Sequence, residues 1–303
     1  MQKFRITTHT VWLGSALHLG LRALILLPVG FGNASQHAFA LDALRVLGSF
    51  CAYGLAFLFC WRIADEYREA KWMRLAWLAL TVNAGLSLLR PFVRPLPIWG
   101  QPVELYNTPP EYALVMHCIL VSANFCLLLG LLAVWWAYHE IGLGFRLGRR
   151  DVLTVLSLLA LMGAFFVFGD LLTEAQAYYR ATTMLQVVAQ VQMFLIAAAS
   201  LLLHRVSIQM GSGRQAIALR WMTVYALWRL GMVLLVSLAR HGFPGHANFI
   251  ADVAQFGWQL APWIFALAVA YRAELTALAA ERLAQIRSER PALPSLQTAR
   301  SGR

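Results

Sequence analysis

Eight stretches of about twenty apolar residues follow one another along the chain, at about 11–30, 42–62, 73–92, 112–137, 152–172, 183–204, 217–240 and 250–272. A helix rises about 1.5 Å per residue, so each stretch covers about 30 Å, the thickness of a bilayer's hydrocarbon. In hydrocarbon every backbone N–H and C=O must be satisfied inside its own segment, and these runs lack the alternation of barrel strands. The expected fold class is therefore all-α, a polytopic transmembrane helix bundle of about eight spans. Composition agrees. With 60% hydrophobic and 13% charged residues and a mean hydropathy of +0.61, the chain holds more apolar surface than a soluble core can hide.

The distribution of the net charge of +11 fixes the expected orientation. Counting flanks alternately, eighteen of the 25 Lys and Arg residues fall on one side, from Lys3 and Arg5 to Arg272 and the five arginines beyond it. Four fall on the other side (Arg90, Arg94, Arg180 and Arg240), and Arg22, Arg45 and Arg229 lie within spans. The positive-inside rule then places both termini in the cytoplasm, N-in and C-in, of a bacterial inner membrane. The basic excess reads as topology plus attraction for the headgroups of membrane lipids, and nucleic acid is excluded as a partner. The first stretch ends near Ala38-Phe39-Ala40, which resembles a signal-peptidase site, so cleavage there would leave seven spans. The long apolar lead before it favours eight.

Residues 1–272 read as the bundle, 273–290 as a cytoplasmic exit helix and 291–303 as a disordered tail. Leu275, Ala279, Leu283 and Ile286 share one face of the exit helix, as expected of a helix lying on the membrane surface or of a short docking helix. The loop VRPLPIWGQPVELYNTPPE at 93–111 holds five prolines and reads as an ordered lid over the outer mouth. No internal repeat is evident, which argues against a transporter built from inverted halves.

Chemical motifs are sparse. The eight histidines do not pair at matching depths as a dihaem cytochrome requires, and the four cysteines lie in spans without C-x-x-C spacing. Lys3 and Lys71 sit at the cytoplasmic edge, where a retinal Schiff base is ruled out. No phosphate loop or nucleophile elbow appears. No catalytic residue, metal or cofactor is assigned, and an enzyme is disfavoured.

Two sets of residues stand out as candidate ligand-binding groups. The outer set holds Arg90, Arg94, Asp170, His241 and His246, with Glu104, Tyr106, Glu174 and Asp252 nearby. The second set is polar and buried: Asn83, Asn124, Gln186, Gln190, Gln192, Arg229, Gln255 and Gln259. Gln186 with Gln190, and Gln255 with Gln259, are four apart and share helix faces that must look inward. Interhelical hydrogen bonding would account for such residues; so would a polar cavity, with Arg229 its most expensive member.

The last part of the chain carries a resemblance. Gly211-Ser212-Gly213-Arg214-Gln215-Ala216 opens a span, Arg240-His241-Gly242-Phe243-Pro244 makes an outer corner, Gln255-Phe256-Gly257 lies in the final span, and Ala268-Val269-Ala270-Tyr271-Arg272 leads into a charged helix. This layout resembles the bacterial seven-transmembrane receptors with diverse intracellular signalling modules. The resemblance implies a sensor whose signal leaves through the helix after Arg272. The family's outer ligand-binding domain and output kinase or cyclase have no counterpart here, so the implied partner is a separate cytoplasmic signalling protein, with room for a homodimer. The competing readings are a membrane-embedded enzyme or redox protein acting on lipid or quinone, a small-solute transporter, and a structural subunit.

Overall fold

The computed structural model describes residues 7–28, 38–93, 110–143, 148–168, 180–242 and 246–289. Among them are eight helices and no strand: α1 Thr8–Leu26, α2 Ala38–Glu66, α3 Lys71–Val93, α4 Pro110–Glu140, α5 Arg149–Phe168, α6 Arg180–Gln209, α7 Arg214–Gly242 and α8 Ala247–Glu289. One helix stands at each apolar stretch of the sequence. Six of them (α2, α3, α4, α6, α7 and α8) are long and apolar enough to cross a membrane, the mark of a multi-pass membrane protein. In α5 the described apolar run is shorter, Val152–Ala164. The proline-rich lid and the tail lie outside the described residues.

The six long helices close into a ring, each packed on the next in the order α2, α3, α4, α6, α7, α8 and back to α2. Helix α1 lies against α8 and α2, and α5 rests on α6. Tight connections at 67–70 and 210–213 and the segment after Glu140 all fall at one end of the ring, here called the turn end. There the chain uses left-handed glycines, Gly142 at φ 78° and Gly211 at φ 76°, to leave α4 and α6. The same end gathers Arg68, Lys71, Arg74, Arg149, Arg150, Arg214 and Arg220, whereas Arg90 and Arg180 sit toward the other. Helix α1 also begins at the turn end, where the Thr8 backbone N–H donates to Glu274 Oε1 at 2.5 Å.

The outside is apolar, as lipid demands. Trp12, Leu17, Leu24, Leu47, Leu58, Trp61, Phe125 and Leu156 are all exposed, on helices that carry few charges to shield them. Inside, every residue of α8 from Ala261 to Ala270 is buried. This is possible because Ala261, Ala266, Ala268 and Ala270 bring neighbouring backbones close; without a hydrophobic force between helices in lipid, such close packing is what holds them together. Helix α2 answers with Ala52, Ala56, Cys60 and Ala64, four residues apart on one buried face.

Between α3 and α4 the approach is tightest at Gly130. A Cβ there would lie 2.8 Å from the Leu80 side chain and 3.2 Å from the Ala76 carbonyl oxygen. Gly130→Ile should therefore lower the thermal unfolding midpoint of the purified protein by several degrees, while Gly54→Ala, which meets nothing within 4 Å, should leave it within a degree of wild type. Equal effects would show that the α3–α4 contact is not limiting.

Candidate ligand cavity

The half of the bundle away from the turn end contains a cavity of about 540 Å³, within the size range of small-molecule sites. Its walls come from six helices, and on α2, α6 and α8 polar residues recur at helical spacing on the inward face. Helix α2 contributes Arg45, Ser49 and Tyr53; α3 contributes Ser87 and Arg90; α4 contributes His117 and Asn124. From α6 come Gln186 and Gln190, from α7 Arg229, and from α8 Gln255, Trp258, Gln259 and Pro262. Met116, Ile119, Leu120, Met193 and Val233 supply apolar wall between them.

The three arginines differ in their partners. Arg45 Nε donates to Asp42 Oδ1 at 3.0 Å, an ion pair three residues apart on α2. Arg229 is 6% exposed. Its Nη2 donates to Asn124 Oδ1 at 2.8 Å, its Nη1 reaches the Tyr225 hydroxyl at 3.4 Å, and its guanidinium lies 5.3 Å from the centre of the Tyr225 ring. All three of these partners are neutral. Arg90 is exposed to the cavity. Among the described residues neither Arg90 nor Arg229 makes a salt bridge, and no aspartate or glutamate lines the cavity.

Three amides on the wall keep an atom unsatisfied: Asn124 Nδ2, Gln190 Oε1 and Gln259 Oε1 have no hydrogen-bond partner among the described residues. Asn83 and Gln192 belong instead to the framework, donating from Nδ2 to the Ala123 carbonyl at 2.7 Å and from Nε2 to the Val121 carbonyl at 3.1 Å.

At the junction of α1, α2 and α8, His18 is a satisfied core residue. Trp263 Nε1–H donates to its Nδ1 at 3.0 Å, which makes Nδ1 the acceptor and leaves Nε2–H to donate to the Leu44 carbonyl at 3.0 Å. Both ring nitrogens are thus engaged. Among the described residues no group of three His, Cys, Asp or Glu side chains is placed to hold a metal ion.

A second polar cluster sits at the turn end, where α8 leaves the bundle. Glu274 takes the Thr8 N–H of α1, a free donor of that helix's first turn, and pairs with Arg214 Nη1 of α7 at 2.6 Å. Two residues earlier, Arg272 donates to the Tyr67 hydroxyl and lies over that ring at 5.2 Å. Gln215 donates to the Tyr138 hydroxyl nearby.

Of the sequence-derived candidates, Arg229, Gln186, Gln190, Gln255, Gln259 and Arg90 all face this one cavity. His246 is exposed and does not line it. His241 lies in the last turn of α7, but its side chain, like Arg94 and Asp170 entirely, is outside the described residues. Sequence reasoning overlooked Arg45, Ser49 and Tyr53 as site residues. Their spacing of four along α2 was the available signal. Compared with protein-family models, with curated proteins and with solved structures, the chain matches none.

Because Asn124 accepts a 2.8 Å hydrogen bond from the buried Arg229, Asn124→Leu should cost about 2 kcal/mol in reversible unfolding from mixed micelles. Gln192→Leu, which removes an ordinary interhelical bond, should cost nearer 0.6 kcal/mol, about the mean for such bonds in membranes. Indistinguishable values would mean that Asn124 does not support the charge of Arg229.

Proposed function

We propose that this protein is a membrane-embedded receptor: a small ligand enters the cavity, and its occupancy is passed through α8 to a separate cytoplasmic signalling protein at an inner membrane. The observation that carries this reading is the continuity of α8. The same helix lines the cavity at Gln255, Trp258, Gln259 and Pro262 and runs unbroken to Glu289. At about 1.5 Å per residue its 43 residues extend roughly 65 Å, about twice the hydrocarbon thickness.

A ligand shifts a conformational equilibrium only by binding one state better than the other. Contacts to α8 at the cavity give it that leverage. The clamp of Arg272 and Glu274 on α1, α2–α3 and α7 holds the point where the helix leaves, so a change in the tilt of α8 above the clamp acts on the segment below it. The layout likeness to seven-transmembrane receptors points the same way. A solute transporter is the second reading, favoured by the one-sided cavity above a packed inner half.

The test is in-membrane cross-linking followed by purification, comparing the full chain with a version ending after Leu275, which keeps the Glu274 clamp. A signalling protein recovered with the full chain should be lost on truncation, and its recovery should change at least twofold in Arg229→Leu while membrane insertion stays normal. Identical partners in all three, or none, would sink the receptor reading, and counterflow of solute in liposomes would put transport in its place.

A further inference from the structure

The charge of the cavity wall narrows what can occupy it. Arg229 is nine-tenths buried or more, and its partners are a side-chain carbonyl, a hydroxyl and a ring face. Hydrogen bonds to neutral groups orient a guanidinium but leave its charge uncompensated, and an uncompensated cation in a low-dielectric interior is costly. Arg90, exposed to the cavity, adds a second cation to the same wall. Arg229 stands fifteen residues from Arg214 at the start of α7, and Arg90 nineteen from Lys71 at the start of α3. The offset of four residues is about 6 Å along the axis, which one arginine side chain spans. Both line the cavity together with Arg45. Arg45 is neutralised by Asp42; Arg90 and Arg229 are not neutralised by any described residue.

Beside Arg229, the Nδ2 donor of Asn124 is fully buried, lines the cavity and has no described partner. Two guanidinium groups and an orphan amide N–H₂ form a donor set with no acidic member. Between the polar groups Ile119, Leu120, Met193, Val233 and Trp258 supply apolar wall.

We infer that the cavity binds an amphipathic organic anion, its carboxylate or phosphate group held by Arg90, Arg229 and Asn124 and its apolar body against the methionine, aliphatic and tryptophan wall. Arginine suits this role because its planar fork can give two parallel hydrogen bonds to either oxyanion. The unsatisfied oxygens of Gln190 and Gln259 add sites for a hydroxyl or amide on the same molecule. The anion has two sources with this chemistry, a lipid headgroup and a free solute. The inference rests on the cavity being the ligand site of the proposed receptor, and does not need signalling through α8.

The full-length protein, placed in discs of phosphatidylcholine alone, is heated in the presence of octanoate, 4-hydroxybenzoate or phenyl phosphate, each beside a neutral counterpart (octanamide, 4-hydroxybenzamide, phenol). A second set of discs contains phosphatidylglycerol. At least one anion should raise the unfolding midpoint saturably, with its neutral counterpart silent. A shift from a soluble anion in phosphatidylcholine discs identifies a free solute, and a shift confined to phosphatidylglycerol discs identifies a headgroup. Arg90→Gln, an exposed position, should weaken the response about tenfold or more, in line with the loss of one charge-assisted hydrogen bond. Gln186→Glu, which sets a carboxylate in the wall, should weaken it as well and serves if the first variant fails to fold. The inference is overturned if no anion acts in either disc, if the neutral compound matches its acid, or if the folded variants respond as wild type does. A neutral ligand that altered partner recovery would overturn the anion and leave the receptor standing.

Discussion

The structure depends on burying a helix on every side. From Ala261 to Ala270 nothing of α8 is left to lipid, and in a membrane no hydrophobic force drives that burial, because hydrocarbon solvates leucine as well as protein does. Close packing must do it. The alanines of α8, the stripe of Ala52, Ala56, Cys60 and Ala64 on α2, and Gly130 at the α3–α4 contact are the local chemistry that lets six helices close on one another. Phe265, Tyr225, Leu127 and Leu203 fill the space that remains.

That packing is complete in only one half of the ring. Toward the turn end the axis is closely packed, and a gap lined by Met73, Leu131, Leu203 and Arg272 amounts to about 10 Å³, the lower limit of what one water molecule needs. Toward the other end the axis opens into the cavity, where Arg229, Asn124, Gln190 and Gln259 are found together. The division follows from sequence: from Phe265 to Ala270 the buried positions of α8 are small or apolar, while above them the helix carries Gln255 and Gln259. The cavity is where the helices carry residues that cannot pack dry.

Helix number, approximate bounds and the inward faces of Gln186, Gln190, Gln255 and Gln259 were legible because the hydrophobic period and the cost of buried amides are local properties. Arg229 was legible for the same reason. Neighbour relations were not: that α4 packs on α6 with α5 displaced to the outside depends on contacts distant in sequence. Nor could sequence tell Asn83 and Gln192, which brace backbone carbonyls, from Asn124, which holds Arg229. All three look alike until the helix opposite is known. From sequence Arg45 is simply one of three charges within spans; that it pairs with Asp42 and lines the cavity emerges only from the fold. His18 shows the opposite case, a polar residue in the first span whose partners, Trp263 and Leu44, make it part of the core.

Pro262 joins these two halves. It lacks a backbone N–H, so the carbonyl of Trp258 one turn earlier has no helical partner, and both residues line the cavity. A helix is easiest to bend where its hydrogen-bond ladder is interrupted. Above that point α8 carries the glutamines of the cavity wall; below it the helix is gripped by close packing and then by Arg272 and Glu274 against Tyr67, Arg214 and Thr8. A bound group that draws the upper segment toward Arg90 or Arg229 therefore works on the weakest point of a helix whose lower end is fixed. Rotation about that point, not sliding of the whole helix, is the motion the packing permits at least cost, and on the proposed reading it is the motion a partner at the exit helix would sense.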